Sequence, residues 1–153
     1  MSKQIAQTFY EAFKAHDAAK MASLYHQEAT FNDPVFRGLT QIQVQGMWQM
    51  LIERSNGLLE IDYHSLIGDD AMAQCTREAK YQFSKTGREV HNVIHATMRF
   101  KDGLILEHSD HFDLWRWSKM ALGTSGALLG WTPIVRNKIR KMAMSSLDDY
   151  LNA

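Results

Sequence analysis

Apolar residues recur at helical spacing through the first third of the chain and at alternate positions through its middle. Ile5, Phe9, Ala12 and Phe13 share one face of a helix of about three turns. Asp17 is placed to cap a second helix, where Met21, Leu24 and Tyr25 repeat the spacing. Asn32-Asp33-Pro34 interrupts the pattern, because a residue before proline avoids the α region. Thr40 with Gln43 reads as a capping box and opens a third helix, with Val44, Met47, Trp48 and Leu51 on one face and Ser55-Asn56-Gly57 at its end. Four strands follow at about 58–67, 71–84, 89–101 and 104–113, divided by Gly68-Asp69-Asp70, Lys85-Thr86-Gly87 and Asp102-Gly103. Turns this short make neighbouring strands antiparallel. Helices first and strands afterwards give the α+β class: a cone of curved antiparallel sheet wrapped by N-terminal helices. A helical extension at 114–153 completes one domain spanning 1–153, with Thr132 and Pro133 starting the last helix, which carries Ile134, Ile139, Met142 and Leu147.

Alternation assigns the faces of the strands. The inward set of the first is Leu59, Ile61, Tyr63, Ser65 and Ile67; of the second, Cys75, Ala79, Tyr81 and Phe83, which takes Arg77 inside. The third sends in Asn92, Ile94, Ala96, Met98 and Phe100, leaving His91, His95 and Arg99 outside. The fourth sends in Leu104, Leu106 and Phe112, and His108 and Asp110 go with them. Polar groups on an apolar face cost about 1–3 kcal/mol each if unpaired. These residues therefore either satisfy one another beneath the sheet or line a ligand pocket, and the two arrangements are compatible.

Length and composition place few further limits. A chain of 153 residues suits one domain with a substantial core. Lys+Arg and Asp+Glu are both 17, so the basic excess of a nucleic-acid binder is missing. The single cysteine, Cys75, cannot pair within the chain, and the N-terminus has no apolar leader, which together point to a cytoplasmic protein. The inward and outward histidines do not converge, so no metal site is expected, and no phosphate loop or dinucleotide fingerprint calls for a cofactor.

The stretch from Phe9 to Asp17, then Leu24-Tyr25, then Glu28 to Val35, resembles the ketosteroid isomerases. That resemblance implies roles for two residues: Tyr10 as donor to a developing enolate and Asp33 as proton shuttle. Ala96, or His95 with a one-residue slip, stands where those isomerases keep a second, protonated Asp, so the resemblance does not extend to their full oxyanion hole. Glu107-His108-Ser109-Asp110 is similar to the final-strand segment of the SnoaL-like polyketide cyclases, which implies an acid/base role for Asp110. Both families belong to the nuclear-transport-factor-like superfamily, and the likeness covers about residues 1–113.

His108 and Asp110 lie two apart and share a face, a spacing suited to a His–carboxylate pair. Asp33 can equally be an Asx-turn carboxylate, and Tyr10 a core tyrosine. The expectation is acid/base catalysis without a cofactor on a small apolar carbonyl compound. Asp33 or Asp110 would take the proton, Tyr10 and His108 would hold the oxyanion or return it, and Arg77, Asn92, Tyr63, Tyr81 and Trp48 would contact the ligand. A non-catalytic binder of an apolar metabolite is the alternative. Epoxide hydrolysis ranks lower, because Arg77-Glu78-Ala79 lacks the Arg-x-Asp segment of relatives that perform it. Trp115, Trp117, Leu122, Leu128, Leu129 and Trp131 are too apolar for a free surface. They are expected to close the cone or pack in a homodimer, ahead of the basic last helix lying on a membrane.

Overall fold

A computed structural model describes residues 1–153. Helix α1 (Ser2–Lys14) buries Ala6, Phe9, Tyr10 and Phe13 along one stripe. Asp17 caps α2 (Ala18–Ser23) by accepting from the Lys20 amide. The capping box of Thr40 and Gln43 forms at the start of α3 (Gln41–Arg54).

The sheet has five strands in the order β1-β5-β4-β3-β2. They are β1 (Tyr25–Asn32), β2 (Glu60–Gly68), β3 (Met72–Gln82), β4 (Glu89–Lys101) and β5 (Leu104–His111). The last four form the expected antiparallel meander. Strand β1 was not foreseen: Tyr25 begins a strand instead of ending a helix, and β1 pairs in parallel with β5. Its residues Tyr25, Ala29 and Phe31 are buried in the main core.

Two bulges correct the assignment of faces. Ser65 has a positive φ of 58°, and the β2–β3 register shifts between His64 and Ile67. Alternation restarts there, so Ile67 faces solvent and Leu66 packs on the core. The β4–β5 register shifts between Arg99 and Phe100, which puts Ile105, not Leu104, fully inside. Beyond this bulge His108 and Asp110 point inward as alternation requires.

The C-terminal segment folds into α4 (Leu114–Leu122), α5 (Thr124–Leu129) and α6 (Pro133–Leu151). Trp117 and Ile139 join Val35, Val90, Leu114 and Ala121 in a second apolar cluster, and both also line the cavity under the sheet. Helix α6 then crosses α3, where a side chain at Gly46 would meet Leu151 and Leu147. Closure is thus the work of Trp117 and α6. Leu128, Leu129 and Trp131 take no part in closure and remain exposed, as does Ile134, so of the two expectations for these residues cone closure does not hold for them.

Helices α4 and α5 approach at backbone distance because Gly126 and Gly130 have no side chain. A Cβ at Gly126 would overlap the Ser118 carbonyl, and one at Gly130 the Ser118 hydroxyl. Gly126→Ala is therefore expected to lower stability by about 1–3 kcal/mol, the range for overpacking. Urea denaturation measures it, and an unchanged midpoint would contradict this packing.

Candidate active site

The turn after β1 sets the first functional carboxylate. Asp33 Oδ1 accepts from the amides of Val35 (2.7 Å) and Phe36 (2.5 Å), and its own amide donates to the Phe36 carbonyl. The Asx turn therefore forms, and one oxygen performs it. Arg140 of α6 donates from Nε to the Pro34 carbonyl at 2.9 Å, which fixes the turn from the other side. Asp33 lines a cavity of about 210 Å³ beneath the sheet. Burial pushes its carboxyl up to about 7, outweighing the two amides and the Arg77 charge, which pull it down.

Arg77, Tyr81, Asn92 and Trp48 also line this cavity, with Phe13, Val35, Met47 and Ile94 among its apolar walls and Ile139, Met142 and Ala143 of α6 as its roof. Tyr81 Oη accepts from Trp117 Nε1 at 2.7 Å, so its own proton is available to a ligand. The Arg77 guanidinium lies 5.2 Å from the rings of both Phe13 and Trp48. Its Nη2 is 3.3 Å from Asp110 Oδ2, while Nε and Nη1 have no partner in the protein.

Behind Arg77 runs a buried chain of polar groups. Trp48 Nε1 donates to Tyr25 Oη at 2.9 Å, and Tyr25 Oη lies 2.8 Å from His108 Nδ1. His108 Nε2 lies 2.9 Å from Asp110 Oδ1. Since Tyr25 Oη already accepts from Trp48, its proton goes to His108 Nδ1, which assigns Nε2 as the nitrogen that donates to Asp110. Trp48, Tyr25 and His108 then each have a hydrogen-bond partner, while Asp110 Oδ2 has only its ion contact with Arg77. Burial works to raise the Asp110 carboxyl, but the His108 imidazole that donates to it and the Arg77 guanidinium facing it hold it below the usual carboxylate range. Phe9 and Phe31 pack edge-on against the imidazole, with ring centroids 5.6 and 5.0 Å away.

The structure thus separates the candidates. Asp33, Arg77, Tyr81, Asn92 and Trp48 meet at the cavity. His108 and Asp110, each 1% exposed, do not line it; Asp110 holds Arg77 and His108 holds Asp110. Tyr10 is sealed in the core with its hydroxyl unpartnered, its ring 5.1 Å from Phe9 and 5.5 Å from Tyr63. Tyr63 lies away from the cavity and donates to Glu11 on α1. Sequence reading missed Tyr25 because it was counted with α2. It missed the Trp117–Tyr81 bond because nothing in the pattern joins α4 to β3.

The family model described as a SnoaL-like domain matches residues 6–108. Among solved structures, an NTF2-like protein of unknown function from Cytophaga hutchinsonii aligns over 74% of this chain and 90% of its own, at 11% identity and a TM-score of 0.61. IdmH from Streptomyces antibioticus, a proposed polyketide cyclase, aligns over 76% of this chain and 95% of its own, at 17% identity and a TM-score of 0.64. An LEH-like epoxide hydrolase from M. tuberculosis aligns over 86% and 96%, at 16% identity and a TM-score of 0.61. No curated protein matches the chain by sequence.

Removing one partner of the buried ion pair leaves the other charge stranded. Asp110→Ala is expected to cost about 3–5 kcal/mol in chemical denaturation, well beyond a surface ion pair. A loss below about 1 kcal/mol would show that Asp110 does not hold Arg77.

Proposed function

The chain belongs to the SnoaL-like domain family, and from that premise we propose that it performs acid–base chemistry on a small carbonyl compound without a cofactor. Asp33 moves the proton. A carboxyl titrating near 7 is half-ionised at neutral pH and so can both take and return a proton. Arg77, whose guanidinium lines the cavity and is not saturated by protein partners, receives the negative charge that develops on the carbonyl oxygen. Tyr81 and Asn92 add donors that orient the substrate. Asp110 and His108, in place of direct catalytic roles, are positioning residues: Asp110 aims Arg77, and His108 holds Asp110.

The observation that carries this reading is the meeting of a carboxyl raised by burial and a partly unpaired arginine in one apolar cavity. A cavity of about 210 Å³ is below the ~300–1,000 Å³ of drug-sized sites, which favours a compact cyclic ligand. Isomerisation and intramolecular cyclisation both fit a site with a proton carrier and an oxyanion acceptor. The IdmH likeness is compatible with the latter. Epoxide opening would need a second carboxylate at the cavity, and Asp110 is committed to His108 and Arg77.

A second reading, a non-catalytic receptor for the same compounds, is favoured by the sealing of His108, Asp110 and Tyr10 away from the cavity. A thermal-melt screen of small cyclic ketones and enolisable diketones, with mass analysis of every stabilising compound, separates the two. Catalysis predicts a changed product for at least one stabiliser. It also predicts a rate falling at least ~10²-fold in Asp33→Asn while the ligand's thermal shift survives. Stabilisation with no chemical change in any hit would establish the receptor.

A further inference from the structure

The α4–α6 segment carries an exposed apolar patch that neither the cavity nor the core uses. Leu128 is 66% exposed, Leu129 51%, Trp131 61% and Ile134 80%, all around the α5–α6 turn. These side chains are held in place. Gly126 and Gly130 clamp α5 onto Ser118. Ser118 Oγ donates to the Trp115 carbonyl at 2.8 Å, and Trp115 Nε1 donates to the Ala127 carbonyl at 3.1 Å. Trp131 Nε1 is tied back to the Leu128 carbonyl at 3.1 Å, so its indole has already placed its one polar atom. The fold therefore displays hydrocarbon at a fixed site.

The surroundings of the patch are basic. Between residues 114 and 147 stand Arg116, Lys119, Arg136, Lys138, Arg140 and Lys141, with no Asp or Glu, in a protein whose net charge is zero. Several of these cations border the patch directly. Lys119 Nζ lies 4.3 Å from the Trp115 ring centroid, and Arg136 Nε donates to the Gly130 carbonyl at 3.4 Å. Lys138 and Lys141 follow Ile134 at helical spacing on α6, and both are exposed. A twofold contact between copies would set this patch on itself and bring like charges together. The occupant must be apolar where it meets Leu128 and Trp131 and anionic around them, which is the profile of an anionic lipid surface.

We propose that the α5–α6 turn docks this protein on anionic membranes, with Leu128, Leu129, Trp131 and Ile134 entering the headgroup region and the surrounding lysines and arginines contacting lipid phosphates. The contact is peripheral, since no helix is long and apolar enough to cross a bilayer. It is independent of the chemistry in the cavity.

The full chain is tested by co-sedimentation with phosphatidylglycerol/phosphatidylcholine vesicles and with pure phosphatidylcholine vesicles at low salt, with Trp fluorescence as a second readout. The expected result is binding to the anionic vesicles at least tenfold tighter than to the neutral ones, released by salt, with a blue shift in emission. Combined Leu128→Ser, Leu129→Ser and Trp131→Ser should abolish binding. Lys138→Gln with Lys141→Gln should weaken it about thirtyfold, since each lysine near an anionic surface counts for about fivefold. All these positions are exposed, so melting temperatures should stay at the wild-type value. Failure to bind anionic vesicles, or binding that survives the triple substitution, would overturn the proposal. So would a wild-type dimer that the triple substitution splits while vesicles are ignored, which would assign the patch to a second copy.

Discussion

A single buried ion pair organises this protein's interior. Arg77 cannot sit under the sheet without a counter-charge, because stranding a buried charge costs several kcal/mol. Asp110 supplies it, and the remaining Asp110 oxygen is occupied by His108, whose other nitrogen is occupied by Tyr25, which Trp48 completes. The strands deliver these groups in order: Arg77 from β3, His108 and Asp110 from β5, Tyr25 from β1. That dependence gives β1 its importance. Without a fifth strand beside β5, the imidazole would lack its outer partner. The chain of bonds ends at the Arg77 guanidinium, which lines the cavity and keeps two buried nitrogens without a partner in the protein.

Most of the fold was legible because its signals are local. Capping at Asp17, Thr40 and Thr132 and the turn at Asp102-Gly103 placed the elements, and alternation placed Arg77, Asn92, His108 and Asp110 inward. The failures came where a local rule met a nonlocal one. Tyr25 continues a helical spacing, yet pairing with β5 makes it a strand residue. Ile67 and Ile105 were misplaced because a bulge reverses parity and leaves almost no mark in the sequence beyond the strained Ser65. At the site, parity showed which residues point in but not how deep they lie. His108 and Asp110 share the face of Arg77 and stop one layer short of the cavity. Tyr63 was grouped with the cavity for the same reason, and Tyr10 because of the isomerase resemblance of α1.

The C-terminal segment divides two tasks between its faces. Ile139, Met142 and Ala143 roof the cavity and Arg140 steadies the Asp33 turn, so α6 is part of the site's architecture. The opposite side presents hydrocarbon ringed by cations. The composition of the segment could not reveal this division, because Trp117 and Trp131 look alike in sequence and differ only in whether a sheet lies opposite.

The central claim is that Asp33 is a carboxyl whose environment moves it into the neutral range beside a charged Arg77. Carbon-13 NMR titration of the Asp33 side-chain carboxyl in the intact protein measures this directly. The account predicts a midpoint of about 7, whereas a midpoint at the ordinary value of 3.8 would contradict it.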